Sequence, residues 1–157
     1  MDLAIRYFHF LGIIVLFASL SLEHVLAKKS ITRETLKRLL IVDIVAGVSA
    51  VVVVTCGVSL WWFVGKPAEF YTQNWIFHTK LTVFVCIALI SLIPTRYFLS
   101  QRKTDSQEIA VPAKVINAIR FELFLFVLMP LLAVLMASGT GLDAEVANHL
   151  RQQLVSP

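Results

Sequence analysis

Four apolar stretches, each long enough to cross a lipid bilayer, decide what this chain can fold into. The chain has 157 residues, 58% of them hydrophobic, and a mean hydropathy of +0.81. About half the residues of a soluble domain are apolar, and a membrane-spanning helix needs about 20 apolar residues in succession. We place the spans at about 3–27, 39–64, 76–99 and 116–138. The sequence therefore predicts one all-α integral membrane domain over residues 1–157, an antiparallel four-helix bundle.

The first apolar stretch differs from a cleavable signal peptide. It has no basic segment in front of it, and it ends near Lys28-Lys29 instead of a cleavage site of small residues. We expect it to stay in place as a membrane anchor.

The basic residues predict the orientation of the bundle. They gather around the first and third connections: Lys28, Lys29, Arg33, Lys37, Arg38, then Arg96, Arg102, Lys103, Lys114, Arg120. Connections rich in lysine and arginine stay on the cytoplasmic side, so both termini should face outward. This bias also explains the net charge of +4 without a nucleic-acid partner. The lipid bilayer is the partner that the composition requires.

The connections and the tail carry weaker signals. The third connection, about 100–113, is polar and charged, and we expect it to be mobile. Pro130 should kink the fourth helix. Beyond Gly141, apolar residues recur every four positions, at Leu142, Val146, Leu150 and Leu154. This spacing predicts a short amphipathic helix on the outer surface.

Ionisable residues within the spans are the first candidates for a functional site, because such residues are disfavoured in lipid. His9 and Lys80 should lie at the same depth near the outward boundary, with His78 close by. Lys80 could instead extend its amine to the interface, and His9 could bond a backbone carbonyl.

A second polar layer is predicted near the cytoplasmic boundary. It contains Glu23, His24, Asp43 and Glu122, with Arg96 and Arg120 nearby. Acids in apolar helices must be paired or protonated. We interpret this layer as a structural ion-pair network, with a proton relay as the alternative.

Helical periodicity predicts which faces point inward. On the second span a stripe of mostly small residues should face the bundle: Asp43, Gly47, Ala50, Val54, Gly57 and Trp61. Cys56 and Cys86 lie at similar depths and could be neighbours, although buried packing is the more common role of such residues.

The residues near the outward boundary, His9, Lys80 and His78, have chemistry suited to haem. Neutral imidazole is a good iron ligand, and an apolar bundle can hold a porphyrin between its helices. Because axial ligands approach the ring from opposite faces, they usually come from different helices. His9 on the first span and a residue on the third could supply them.

Several runs of residues resemble a known family. Residues 70–74 (FYTQN), 80–84 (KLTVF) and 91–95 (SLIPT) resemble a bacterial membrane family known as domain of unknown function 2214. The resemblance covers nearly the whole chain and implies residence in the bacterial inner membrane, but no activity. More distantly, the chain is similar to HemJ-type protoporphyrinogen oxidases and CopD-like membrane proteins. That likeness implies bound haem b, with His9 and Lys80 at the important positions.

Three functions are compatible with these sequence features. The first is a b-type haem protein with an oxidoreductase or electron-transfer role, such as HemJ-like porphyrinogen oxidation. There His9 ligates the iron, Lys80 is the opposite ligand or contacts a carboxylate, and Arg6 and Trp61 line the mouth. The second is an accessory subunit of a larger membrane complex, or a homo-oligomer. The third is a small transporter, which the absence of internal repeats disfavours.

Overall fold

The computed structural model describes residues 2–64, 67–104 and 106–142. In chain order its elements are α1 (Asp2–Leu26), β1 (Ser30–Thr32), α2 (Arg33–Ser59), a π-helix (Leu60–Val64), α3 (Ala68–Thr72), α4 (Trp75–Gln101), β2 (Glu108–Ala110) and α5 (Ala113–Ala137). Four helices, with α2 extended by the π-helix, are long and apolar enough to cross a membrane. The predicted all-α membrane bundle is confirmed. The predicted amphipathic tail helix lies mostly beyond residue 142, outside the described residues.

The four long helices pack as an up-and-down bundle. α1 packs against α2 and α5, and α4 packs against α5 and α2. Short connections make consecutive helices antiparallel neighbours. α1 and α4 therefore lie diagonally across the bundle, so side chains that point inward from them face each other across its axis.

The middle of the bundle is filled by apolar side chains from all four long helices. The buried members are Leu16, Leu20, Ala46, Ile87 and Phe126. The rings of Phe17 and Phe126 stack with their centroids 6.0 Å apart. Lipid is as apolar as these side chains, so close van der Waals packing holds them together. This central cluster separates the two ends of the bundle.

One end is closed by a two-stranded ribbon, and we call it the ribbon end. β1 and β2 pair antiparallel, with Ile31 opposite Ile109, and the Ser30 hydroxyl donates to a Glu108 carboxylate oxygen at 2.6 Å. Beneath the ribbon, Ile31 and Ile109 join a second buried cluster with Phe98 and Val115. The third connection is ordered over residues 108–111, which pair with the first connection, so the expected mobility does not extend to this part of it.

The other end carries Trp61, Trp62 and Trp75, and we call it the tryptophan end. Asn74 is completely buried there. Its Oδ1 accepts the Ile76 N–H at 2.9 Å and caps α4, while its Nδ2 donates to the Thr140 carbonyl at 3.1 Å. One side chain thus joins the start of α4 to the segment that follows α5.

The predicted inward face of the second span is right at some positions and wrong at others. Ala50 packs against the central cluster, and a Cβ on Gly57 would stand 3.4 Å from the His9 ring. Gly47 and Val54, by contrast, are exposed. α2 turns its buried Val53 towards α1, where a Cβ on Gly12 would stand 3.0 Å from a Val53 methyl.

Both intrahelical prolines lie within continuous helices. α5 runs through Pro130, and α4 runs through Pro94, which is buried. The proline at each position removes one backbone donor without ending the helix, as is common in membrane helices.

Candidate functional site

His9 occupies a defined position between α1 and α2 near the tryptophan end. Its Nδ1 lies 3.0 Å from the Val53 carbonyl oxygen, and a Cβ on Gly57 would stand 3.4 Å from its Cε1. Glycine at position 57 therefore leaves the ring room to lie close against α2. The alternative that the sequence left open, a bond from His9 to a backbone carbonyl, is present.

This bond fixes the tautomer of the ring. A carbonyl oxygen can only accept, so Nδ1 must carry the proton that is donated to Val53. In neutral imidazole the other nitrogen, Nε2, then carries a free lone pair. Histidine ligands to metals commonly have this arrangement, with one ring N–H held by a carbonyl and the other nitrogen on the metal.

Lys80 lies in the first turns of α4, diagonally opposite α1. It is partly buried, and within the described residues its amine makes no hydrogen bond or ion pair. The shared depth of His9 and Lys80 stays a prediction.

Trp61 adds an unsatisfied donor at the same end. Its indole Nε1 is buried and has no hydrogen-bond partner among the described residues. Its ring stacks on Trp62 at 5.0 Å and meets the edge of Phe77 at 4.9 Å. Trp61 belongs to the π-helix Leu60–Val64, a distortion that often occurs at functional sites. A buried indole N–H usually finds an acceptor, so this donor is available to a ligand.

The other two residues predicted near His9, namely His78 and Arg6, form bonds elsewhere. His78 is exposed, and its Nε2 bonds the Thr72 carbonyl at 2.8 Å. The Arg6 guanidinium pairs with Asp2 at 2.8 Å on the surface. His9, Lys80 and Trp61 thus lie towards the tryptophan end without a bond to one another among the described residues, while His78 and Arg6 are bonded elsewhere.

A second polar group lies between the central cluster and the ribbon end. Glu23 of α1 and Glu122 of α5 are 2% and 1% exposed, respectively. Asp43 of α2 interacts electrostatically with both carboxyl groups. The Thr95 hydroxyl of α4 donates to Asp43 Oδ1 at 2.6 Å. We call these four residues, one from each long helix, the acidic layer.

The acidic layer has no cationic partner within the described residues. Oε1 of Glu23 and Oε2 of Glu122 are buried without any hydrogen-bond partner there. Arg96 and Arg120 are exposed, and neither forms an ion pair with the described acids. The predicted ion-pair network is therefore absent from the part of the chain that the structure describes. The direction of Arg96 follows from that of Thr95. Adjacent residues on a helix point to different sides, and Thr95 points to Asp43, so Arg96 points away from the acids.

Metal ligation by the acids is not supported. Over residues 2–64, 67–104 and 106–142, no group of three or more His, Cys, Asp or Glu side chains could hold a metal ion. Cys56 and Cys86 are both free, and Cys86 is exposed on the outer face of its helix. His24 is likewise exposed, near the ribbon end.

Comparison with known proteins yields one match. The family described as "Predicted membrane protein (DUF2214)" matches residues 1–141. The chain belongs to this family. No curated protein and no solved structure matches the chain. Membership covers all four spans and both polar groups, and it assigns neither a cofactor nor a reaction.

Sequence reasoning missed three residues that shape these sites. Val53 contributes only its backbone carbonyl, which gives no sequence signal. Thr95 did have a signal, since it is a hydroxyl in an apolar helix next to Pro94. Asn74 also had one, since an asparagine directly before an apolar run is typical of a helix cap.

Proposed function

We propose that this protein binds b-type haem at the tryptophan end of the bundle and serves in oxidoreduction or electron transfer. His9 is the iron ligand in this proposal. The location that we propose is the bacterial inner membrane, with the ribbon end on the cytoplasmic side, as the basic connections predict.

The observation that carries the proposal is the orientation of His9. The bond to Val53 holds the ring and keeps the proton on Nδ1. Nε2 is then the atom free to bind iron. Gly57 gives the ring room to lie close to α2, where it makes this bond.

Lys80 and Trp61 suit the carboxylates of a porphyrin. Among the described residues the Lys80 ammonium has no counter-ion and the buried Trp61 N–H has no acceptor, so both can donate to a carboxylate. In this proposal Lys80 contacts a haem propionate or a porphyrin substrate, or provides the opposite axial ligand. Bound haem would supply one-electron chemistry. HemJ-like porphyrinogen oxidation is the specific reaction that we propose for the site.

The central cluster limits how far a ligand can enter. Leu16, Leu20 and Phe126 pack the bundle below the level of His9. A ligand at His9 therefore lies near the tryptophan end, with an apolar floor that excludes water from the ribbon side. In this proposal Lys80 and Trp61 meet the carboxylates on the side towards the aqueous boundary.

Haem content of histidine variants tests the proposal. We expect His9→Ala, expressed with ample haem, to lose most of its bound haem as measured by the pyridine haemochrome assay. His78→Ala is the matched control, because His78 lies near the same end and is tied to Thr72. Equal haem content in the two variants would refute the assignment of His9.

The acidic layer favours a second function, exchange of protons. Two fully buried carboxyl groups retain an oxygen without a partner, and no described cation neutralises them. Such groups must be protonated or take up a cation, because an unpaired charge in an apolar interior costs several kcal/mol. A proton flux in liposomes that Glu23→Gln abolishes and Glu34→Gln preserves would support this function. A wild-type flux no higher than in empty liposomes would refute it.

A further inference from the structure

The ribbon end carries a groove that nothing in the proposed haem or proton function uses. Its volume is about 610 Å³, and it lies between the end of α1, the first connection and the start of α5. Basic side chains line one part of it: His24, Lys28, Lys29 and Arg120. We propose that this groove binds a phosphate-bearing anion, the chemistry of an acidic phospholipid headgroup.

The cations of the groove have no counter-ions among the described residues. There, Lys28, Lys29 and Arg120 make no ion pair, and no acidic side chain is among those that line the groove. Three cations and an imidazole therefore line one concave surface, which is the arrangement that phosphate groups favour.

The backbone of the groove is fixed by the ribbon. The Val111 N–H donates to the Lys29 carbonyl at 2.9 Å, which joins the two connections next to the groove. Ala27 and Val111 are buried in the cluster beneath the ribbon. The basic side chains thus extend from a packed base, so the groove has a defined shape before any anion binds.

The start of α5 adds donors to the same place. Pro112 is the N-cap of α5 and makes no side-chain capping bond, and Ala113 lines the groove. The N-terminal end of a helix of this length carries partial positive charge and free N–H groups, which bind anions. Asn117, one turn further along α5, lines the groove with an amide that can also donate.

The position and lining of the groove favour lipid phosphate over free phosphate. The groove begins beyond the ends of the helices and continues beside them. His24 lies in the last turn of α1, and Arg120 lies about 10 Å along α5 from its start. Apolar Val25 and Ile116 form another part of its lining. A headgroup could bind the cations while its acyl chains follow the apolar wall into the bilayer.

Native mass spectrometry of detergent-solubilised protein tests the proposal. The probes are phosphatidylglycerol, zwitterionic phosphatidylcholine and inorganic phosphate, each added separately. The test variant is Lys28→Gln/Lys29→Gln/Arg120→Gln. The control variant, Lys37→Gln/Arg102→Gln/Lys114→Gln, removes the same charge from the same end at positions outside the groove.

We expect wild type and the control variant to retain one phosphatidylglycerol and the test variant to bind it roughly a hundredfold more weakly, since three cations are lost. Binding of inorganic phosphate with the same dependence on the variants would support the site and identify a free anion as its ligand. Equal lipid binding by both variants, or equal binding of phosphatidylcholine by wild type, would overturn the proposal. Matching thermal midpoints for the two variants separate lost binding from misfolding.

Discussion

At the scale of single residues, Gly141 has no room for even one methyl group. Its φ is +91°, and a Cβ there would stand 2.5 Å from Asn74 Oδ1. Gly139 has a similar φ of +84°, but among the described residues a Cβ there would meet nothing within 4 Å. Alanine at either position would therefore strain the backbone, but only at position 141 would it also overlap a neighbouring side chain.

We predict that Gly141→Ala is more destabilising than Gly139→Ala. Each should lose about 1–2 kcal/mol through the left-handed backbone, and Gly141→Ala should lose about 1–3 kcal/mol more by displacing Asn74. Thermal unfolding in detergent measures both. Equal midpoints for the two variants would contradict the contact between Gly141 and Asn74.

The state of the acidic layer can also be tested at a single residue. Glu122→Gln preserves shape and removes the ability to ionise. Because Glu122 has no cationic partner within the described residues, we expect the substitution to change the protein's free energy of unfolding by less than about 1 kcal/mol. Glu34→Gln, on the surface, is the control. A loss of about 3–5 kcal/mol would indicate a broken buried ion pair and restore the original interpretation.

The ionisable members of both polar groups could be found from sequence, because charge within an apolar helix is conspicuous. Their partners could not. His9 bonds a main-chain carbonyl, and any residue at position 53 would offer one. The arginines were wrongly assigned as partners because nearness in sequence to a helix end does not determine the direction of a side chain. Asp43 instead accepts a hydrogen bond from the Thr95 hydroxyl.

At the scale of elements, the ribbon is what organises the two basic connections. Ile31 and Ile109 face each other in the pair and are both 4% exposed. The Tyr97 hydroxyl donates to the Ala110 carbonyl at 2.8 Å and ties β2 to α4. The ribbon therefore joins α1, α2, α4 and α5 at one end through a small apolar cluster.

We predict that Ile109→Ala loosens this end selectively. Truncation of a buried isoleucine should cost about 2–5 kcal/mol. Hydrogen exchange should accelerate at residues 30–32 and 108–111, while the amides of the central cluster keep their protection. Glu108→Gln is the control, since it retains the acceptor for Ser30. Unchanged exchange in Ile109→Ala would contradict a packed ribbon.

The helices were predictable because a long apolar run in a membrane has few alternatives to a helix. The ribbon was not, since two strands of three residues within charged connections give no periodic signal. The exposure of Gly47 and Val54 on α2 also escaped prediction. α2 presents Val53 to Gly12 of α1, and a helix read alone cannot reveal which face its partner will approach.

At the scale of the whole molecule, the orientation in the membrane stays a prediction. Labelling of single cysteines can test it in a Cys56→Ser/Cys86→Ser background. We expect Gln73→Cys, exposed at the tryptophan end, to react with an impermeant maleimide in intact cells. Ser106→Cys, exposed near the ribbon, should react only after permeabilisation. The reverse pattern would place the basic connections outside.

Along its length the molecule has an end that carries His9, Lys80 and Trp61, then an apolar middle, the acidic layer and a basic ribbon end. Since α1 and α4 lie diagonally across the bundle, His9 and Lys80 belong to helices that make few direct contacts with each other.

The absorption spectrum of the purified protein tests the central claim most directly. After expression with ample haem, the wild-type chain is predicted to show a Soret band that shifts on reduction with dithionite, at a stoichiometry near one haem per chain. A colourless protein that folds normally and shows no Soret band even after haem is added would contradict haem binding at His9.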